Sequence, residues 1–86
     1  MLERHVIVAI EEGLHARPAA LFVKLAAGLP AAVTIRTADG APVPTSSILS
    51  VMTLGARRGD EVVLASHDDT AGPSLDALVA YLENAG

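Results

Sequence analysis

Two side chains with chemical potential stand at one join in this chain, His15 and Arg17, within Gly13-Leu14-His15-Ala16-Arg17-Pro18-Ala19-Ala20. An imidazole is a nucleophile that can itself be covalently modified. A guanidinium beside it is suited to a phosphate or a carboxylate. The residues that follow carry an apolar stripe at Ala19, Phe22, Val23 and Ala26, the i, i+3, i+4, i+7 spacing of an amphipathic helix. Gly28 and Pro30 supply its stop signal. Pro18 fits a first turn, whose N–H groups lack intrahelical partners anyway, but it disfavours helical geometry at Arg17. The helix therefore starts between positions 16 and 18, and His15 stands just ahead of its N-terminus on either reading. A helix start carries a partial positive charge worth roughly 0.3–1 kcal/mol to a nearby anion. Position and chemistry alone leave two readings open: an anion or phosphoryl site, and a surface histidine with a snorkelling arginine at an ordinary helix start.

The rest of the chain must position that join. Residues 2–10 alternate, with Val6, Val8 and Ile10 on one face and His5, Ile7 and Ala9 on the other, which predicts a half-buried strand. Glu11 and Glu12 lead into the site loop, and the helix covers about 16–27. A second strand is expected at 32–38, with Val33 and Ile35 inward and Thr34 and Arg36 outward. Asp39-Gly40 signals a short hairpin with a primed turn, which needs positive φ. The return strand at 41–44 contains Pro42 and Pro44 and belongs at a sheet edge, where missing donors do no harm. Thr45, Ser46 and Ser47 are candidate N-caps for a short helix over 47–54 with the stripe Ile48, Val51, Met52 and a stop at Gly55. The most apolar strand is 61–67. A last helix at 73–84 opens on Pro73 and carries Leu75, Leu78, Val79 and Leu82.

The order is βαββαβα, an α+β arrangement with the helices on one face of an antiparallel sheet. Periodicity admits two sheet orders, the ferredoxin-like one and 1-4-2-3. Eighty-six residues make one small domain, 1–86, with a 51% hydrophobic composition but a single Phe, a single Tyr and no Trp. The core must come from Val, Leu, Ile and Ala, so stability depends on caps and close helix–sheet packing. The absence of cysteine excludes disulfides and thiolate metal sites. A net charge of −4 argues against nucleic-acid binding. No apolar run approaches a membrane span, and the N-terminus lacks a secretory pattern, so a cytoplasmic location is expected.

The string Gly13-Leu14-His15-Ala16-Arg17-Pro18-Ala19 closely resembles the active-site signature of the HPr family, the histidine-containing phosphocarriers of bacterial sugar phosphotransferase systems. The likeness extends over essentially the full chain, including a second motif near Ser47. It implies an open-faced β-sandwich: a four-stranded antiparallel sheet of order 1-4-2-3 with three helices on one face. It implies that His15 accepts a phosphoryl group on Nδ1 from the phosphohistidine of Enzyme I, itself charged by phosphoenolpyruvate, and passes it to EIIA domains of sugar permeases. Arg17 would contact the phosphoryl oxygens, and the amides of Ala16 and Arg17 would add donors, whereas Pro18 can give none. No cofactor and no metal are implied, and the protein would be a monomeric relay rather than an enzyme with turnover on a small molecule.

Other residues have plainer readings beside functional ones. Ser47 either caps the second helix or, as the resemblance implies, takes a regulatory phosphate from a serine kinase. Ser50, where the family commonly has glycine, and Thr45-Ser46 in place of more basic surroundings put kinase recognition in doubt, and the cap is the favoured reading. Leu14, Ala20, Leu21, Lys24, Ala27, Ile48, Leu49, Met52 and Arg57 are expected around the site as a small partner-binding patch, or as cover for a small core. Arg57 and Arg58 either steer acidic partners or complement a helix end. His5 and His67 fall on strands that the implied topology makes neighbours, but their spacing matches no metal motif. Alternatives to the sugar relay are a phosphorylation-dependent regulatory module of the same fold, a carrier for a nitrogen-related branch, and a small-ligand module for which no polar pocket is evident.

Overall fold

Leu2–Ile7 form β1, and the alternation predicted there is obeyed: Val6 is buried while His5 and Ile7 are exposed. The computed structural model describes residues 1–84. The remaining elements are α1 (Ala16–Ala27), β2 (Thr34–Thr37), β3 (Val43–Pro44), α2 (Ile48–Thr53), β4 (Glu61–Ser66) and α3 (Gly72–Glu83). The strands form one sheet in the order β1-β4-β2-β3 with every pairing antiparallel. That is the 1-4-2-3 order, so the ferredoxin-like alternative is set aside.

β1 stops short of residue 10 because its partner does. Ladder pairing ends at Ile7 opposite Glu61. The chain before Glu61 turns away at Gly59, whose φ of 93° suits glycine. Val8 still exchanges bonds with that turn, donating to Asp60 O at 2.9 Å and accepting from Gly59 N–H at 2.8 Å. Val8 and Ile10 therefore stay buried although they lie beyond the strand.

The expected primed hairpin at Asp39-Gly40 is not formed, since neither residue has positive φ. The β2–β3 ladder closes at Ile35 opposite Val43, two residues before β2 ends, and residues 38–42 make a wider loop. Pro42 stands where the next ladder donor is needed and has none to give. Arg36 instead holds the loop, donating to Thr37 O at 3.2 Å and Ala38 O at 3.1 Å. β3 is an edge strand, as its prolines require.

The core lies between the sheet and the helices. Val6, Ile35, Val62 and Leu64 face Phe22 of α1, Val51 of α2 and Leu75, Leu78 and Leu82 of α3. Within α1 Ala19 and Phe22 are buried, and Val23 and Ala26 are half-buried. In α2 only Val51 is buried. Ile48, expected in that stripe, is 40% exposed because a six-residue helix turns little more than one row inward. Ser47 is the N-cap, its hydroxyl accepting from Ser50 N–H at 3.2 Å, which is worth about 1 kcal/mol. Gly55, at φ 64°, ends the helix as expected.

Phe22 is wholly buried and is one of only two aromatic residues in the chain. Phe22→Ala is expected to cost about 3–5 kcal/mol, a large part of the ~5–15 kcal/mol available to a small domain. Urea denaturation followed by circular dichroism should show the midpoint collapse.

Candidate functional site

The site loop is seated before it presents anything. Gly13 has φ 70°, and a Cβ there would lie 2.6 Å from Ala56 O and 2.9 Å from Arg57 Cα. Only glycine permits both the left-handed backbone and that approach. The next residue, Leu14, is fully buried and donates its N–H to Ala56 O at 2.9 Å. Leu14 is thus removed from the expected partner-binding residues: its side chain anchors the loop in the core. The chain then emerges, so His15, Ala16 and Arg17 are all exposed.

His15 has extended backbone, φ −114° and ψ 154°, and is the N-cap of α1 without a side-chain capping bond. Ala16, the first helical residue, has φ 40°, a left-handed conformation that costs a non-glycine residue about 1–3 kcal/mol. No acidic side chain supports the first turn. The first intrahelical bond runs from Ala19 N–H to His15 O at 3.3 Å. The amides of Ala16 and Arg17 have no acceptor among the described residues, as expected of opening helix N–H groups. Pro18 is the third helical residue and is buried, and the helix starts at 16, the earliest of the allowed positions. The corner thus gathers an exposed imidazole, two free amides, a helix N-terminus and a guanidinium that forms no ion pair among the described residues. Such a set fits a phosphoryl group or another small anion.

The end of α3 supports this corner, which sequence reasoning missed. Tyr81 donates its hydroxyl to Pro18 O at 2.9 Å, and its ring lies 6.0 Å from that of Phe22. Leu82 O accepts from Ala9 N–H at 2.8 Å. Burial, and next the charge of Glu12, push the Tyr81 phenol above its ordinary value of 10.0. Tyr81 and Arg17 line one cavity of about 380 Å³ together with Glu11, Glu12 and Asn84. The available signal was a lone tyrosine three residues after Leu78, beside the buried stripe of the last helix.

The other expected residues sort by exposure. Ala20, Leu21, Lys24 and Ala27 lie on the solvent-facing side of α1, with Leu21 46% exposed. Leu49 of the neighbouring α2 is 72% exposed, and Met52 is half-buried. Arg57 and Arg58 are exposed, and the Arg57 backbone abuts Gly13, which puts it beside the site loop. His5 and His67 are not brought together. His5 pairs with Val63 inside the β1–β4 ladder, whereas His67 lies beyond Ser66, the last residue of β4. His5 lies instead between Glu61, at 3.4 Å, and Glu3, at 3.8 Å. Among the described residues there is no group of three or more His, Asp or Glu placed to hold a metal ion.

Residues 2–84 match the family model described as "PTS HPr component phosphorylation site". The chain is 50% identical over 78 residues to the phosphocarrier protein HPr of Streptomyces coelicolor, covering 91% of this chain and 84% of that one. The crystal structure of HPr from Bacillus anthracis superimposes with a TM-score of 0.87 at 36% identity, covering 94% of this chain and 95% of the other. Crh, the Bacillus subtilis catabolite repression protein whose crystal structure is described as a domain-swapped dimer, gives a TM-score of 0.73 at 36% identity, with 96% and 94% coverage.

Two outcomes are expected from this geometry. Gly13→Ala should destabilise by about 1–3 kcal/mol, since it strains the backbone and drives Ala56 away, and the amide resonances of Leu14 and Ala16 should shift. The single tyrosine should titrate above 10.0 when phenolate absorbance is followed. Because folding favours the neutral phenol, the associated stability is present below that value and is lost as pH rises through the folded one.

Proposed function

The chain belongs to the HPr phosphocarrier family, and from that premise we propose that it relays a phosphoryl group from Enzyme I to EIIA proteins through a transient phosphohistidine at His15. The observation that carries this reading is an exposed imidazole set directly before a helix start whose first amides, like the Arg17 guanidinium, have no partner among the described residues. In this scheme neutral His15 attacks through Nδ1. The new N–P bond forms as the bond to the donor imidazole breaks, in line and with charge spread over three oxygens. The Ala16 and Arg17 amides and the Arg17 guanidinium meet that charge as it redistributes. The return step is the same displacement with an EIIA group as acceptor, and it requires no cofactor.

The exposed side of α1 at Ala20, Leu21, Lys24 and Ala27, with Ile48 and Leu49 of α2 and Arg57 nearby, serves as the docking surface. It combines apolar contact with positive charge, which suits brief encounters with acidic partners. The relay works in the cytoplasm as a monomer. No helix among the described residues is long and apolar enough to cross a membrane. At Ser47 the capping bond to Ser50 N–H supports a structural role in preference to a regulatory phosphate. The likeness to Crh supports a second reading, a regulatory module that binds partners according to its phosphorylation state. An intact His15 favours the relay.

The test is incubation with Enzyme I and labelled phosphoenolpyruvate, followed by addition of EIIA. The chain should acquire an acid-labile label that EIIA then removes. His15→Ala should take none. Arg17→Ala should be slowed by about tenfold to a hundredfold, the effect of losing a charged hydrogen-bond partner. Label that persists in His15→Ala, or that never leaves for any EIIA, would overturn the relay.

A further inference from the structure

The first turn of α1 lacks the usual supports of a helix start. His15 makes no capping bond, no acidic residue stands in the first turn, and Ala16 is left-handed at φ 40°. Pro18 adds nothing through its nitrogen, which has no hydrogen to donate. A strained, uncapped turn is prone to fray, yet its amides are the groups that must stay in place to receive an anion. Its support has to come from elsewhere in the fold.

That support comes from the last turn of α3. Leu82 O takes the Ala9 N–H at 2.8 Å, just ahead of the site loop. Tyr81 reaches across with its hydroxyl to Pro18 O at 2.9 Å, just beyond the strained residue. One helical turn thus holds both arms of the loop, while Leu14 N–H to Ala56 O holds its middle. In a helix the Pro18 carbonyl also accepts from the amide four residues on, so the second donor from Tyr81 resists tilting of that peptide. The phenol is a dependable donor, since a tyrosine is protonated at neutral pH and burial, then Glu12, push it further from ionising. It also lines the same cavity as Arg17.

We infer that Tyr81 is a positioning residue for phosphoryl transfer at His15: by gripping the Pro18 carbonyl, its hydroxyl keeps the Ala16–Arg17 corner in the arrangement that receives the phosphoryl group. This rests on the relay reading above. Tyr81 touches neither donor nor acceptor and acts only through the helix start.

Tyr81→Phe separates the hydroxyl from the ring, because it keeps the tilted ring contact with Phe22 and removes the bond. Tyr81→Leu removes both. Amide hydrogen exchange is read in the unphosphorylated protein at Ala19, whose N–H closes the first turn, and at Leu64 in the sheet centre, which reports global opening. Phosphoryl acceptance from Enzyme I is then timed for each variant. In Tyr81→Phe, Ala19 should exchange about fivefold faster with Leu64 unchanged, and acceptance should slow by a similar factor, the effect of one hydrogen bond. Tyr81→Leu should show the same change at Ala19 and faster exchange at Leu64 as well. Wild-type exchange at Ala19 with wild-type acceptance in Tyr81→Phe overturns the inference, as does a loss at Ala19 that only follows Leu64. If the unaltered chain takes no label, the relay reading fails and this inference with it. A normally labelled chain beside an unaffected Tyr81→Phe removes only the role of Tyr81.

Discussion

A helix whose N-cap is His15, with a side chain that makes no capping bond, begins without the usual local support. In this protein the corner is made by Ala16 in a left-handed conformation, a cost of about 1–3 kcal/mol that the loop cannot offset by itself. Three bonds from outside hold it: Leu14 to Ala56, Ala9 to Leu82, and Tyr81 to Pro18. At about 0.5–1.5 kcal/mol net each, they are of the same size as the strain. Their donors and acceptors come from three parts of the chain, and the sheet order brings them together. With β4 beside β1, the turn at residues 56–60 lies against the loop. With α3 packed on both strands, residues 81 and 82 reach it from the other side. The 1-4-2-3 order is therefore a condition for the site as well as a description of the fold.

What could be read from the sequence follows the range of the forces involved. Local rules placed the end of α1 and narrowed its start to positions 16–18, because stripe, proline and glycine all act within a few residues. They identified Ser47 as one of three possible caps and Gly55 as the stop. They failed where a distant partner decides. The end of β1 is set by the turn at Gly59, and the wide β2–β3 loop is set by what Pro42 fails to donate and what Arg36 supplies. Leu14 was misassigned for the same reason: an apolar residue next to a reactive histidine reads equally well as a docking group or an anchor, and only the Ala56 contact decides. The sheet order was beyond periodicity and came from the resemblance, since two orders bury the same faces.

Scarcity of aromatic residues shapes the molecule in a second way. With Phe22 and Tyr81 as the chain's only Phe, Tyr or Trp residues, the core depends on aliphatic side chains gathered on one side of the sheet. On the open side Val63 is nevertheless only 2% exposed, because His5 and Arg36 flank it in adjacent strands. Ile7 stays 53% exposed there, opposite Glu61 in the ladder. Charged neighbours of this kind keep an open face from becoming adhesive. Around His15 the arrangement differs. Leu21 and Leu49 are exposed on adjacent helices, with Lys24 and Arg57 also exposed and with Glu11 and Glu12 lining the same cavity as Leu21. On the relay reading, the second face is the one that meets partners.

The electrostatics of the corner bear on how firmly it would hold an anion. Arg17, a helix N-terminus and two free amides attract one. The chain as a whole carries −4, and Glu11 and Glu12 line the cavity that Arg17 lines. Those carboxylates oppose any negative group that comes to rest beside the guanidinium, and solvent screens both effects at an exposed site. On the relay reading, this opposition is what a carrier needs. A site that stabilised the phosphorylated state deeply would raise the barrier to giving the group away, because only stabilisation that grows in the transition state speeds transfer in both directions. An arginine free to follow the moving charge, next to amides fixed in place from α3, meets that requirement better than a closed pocket would.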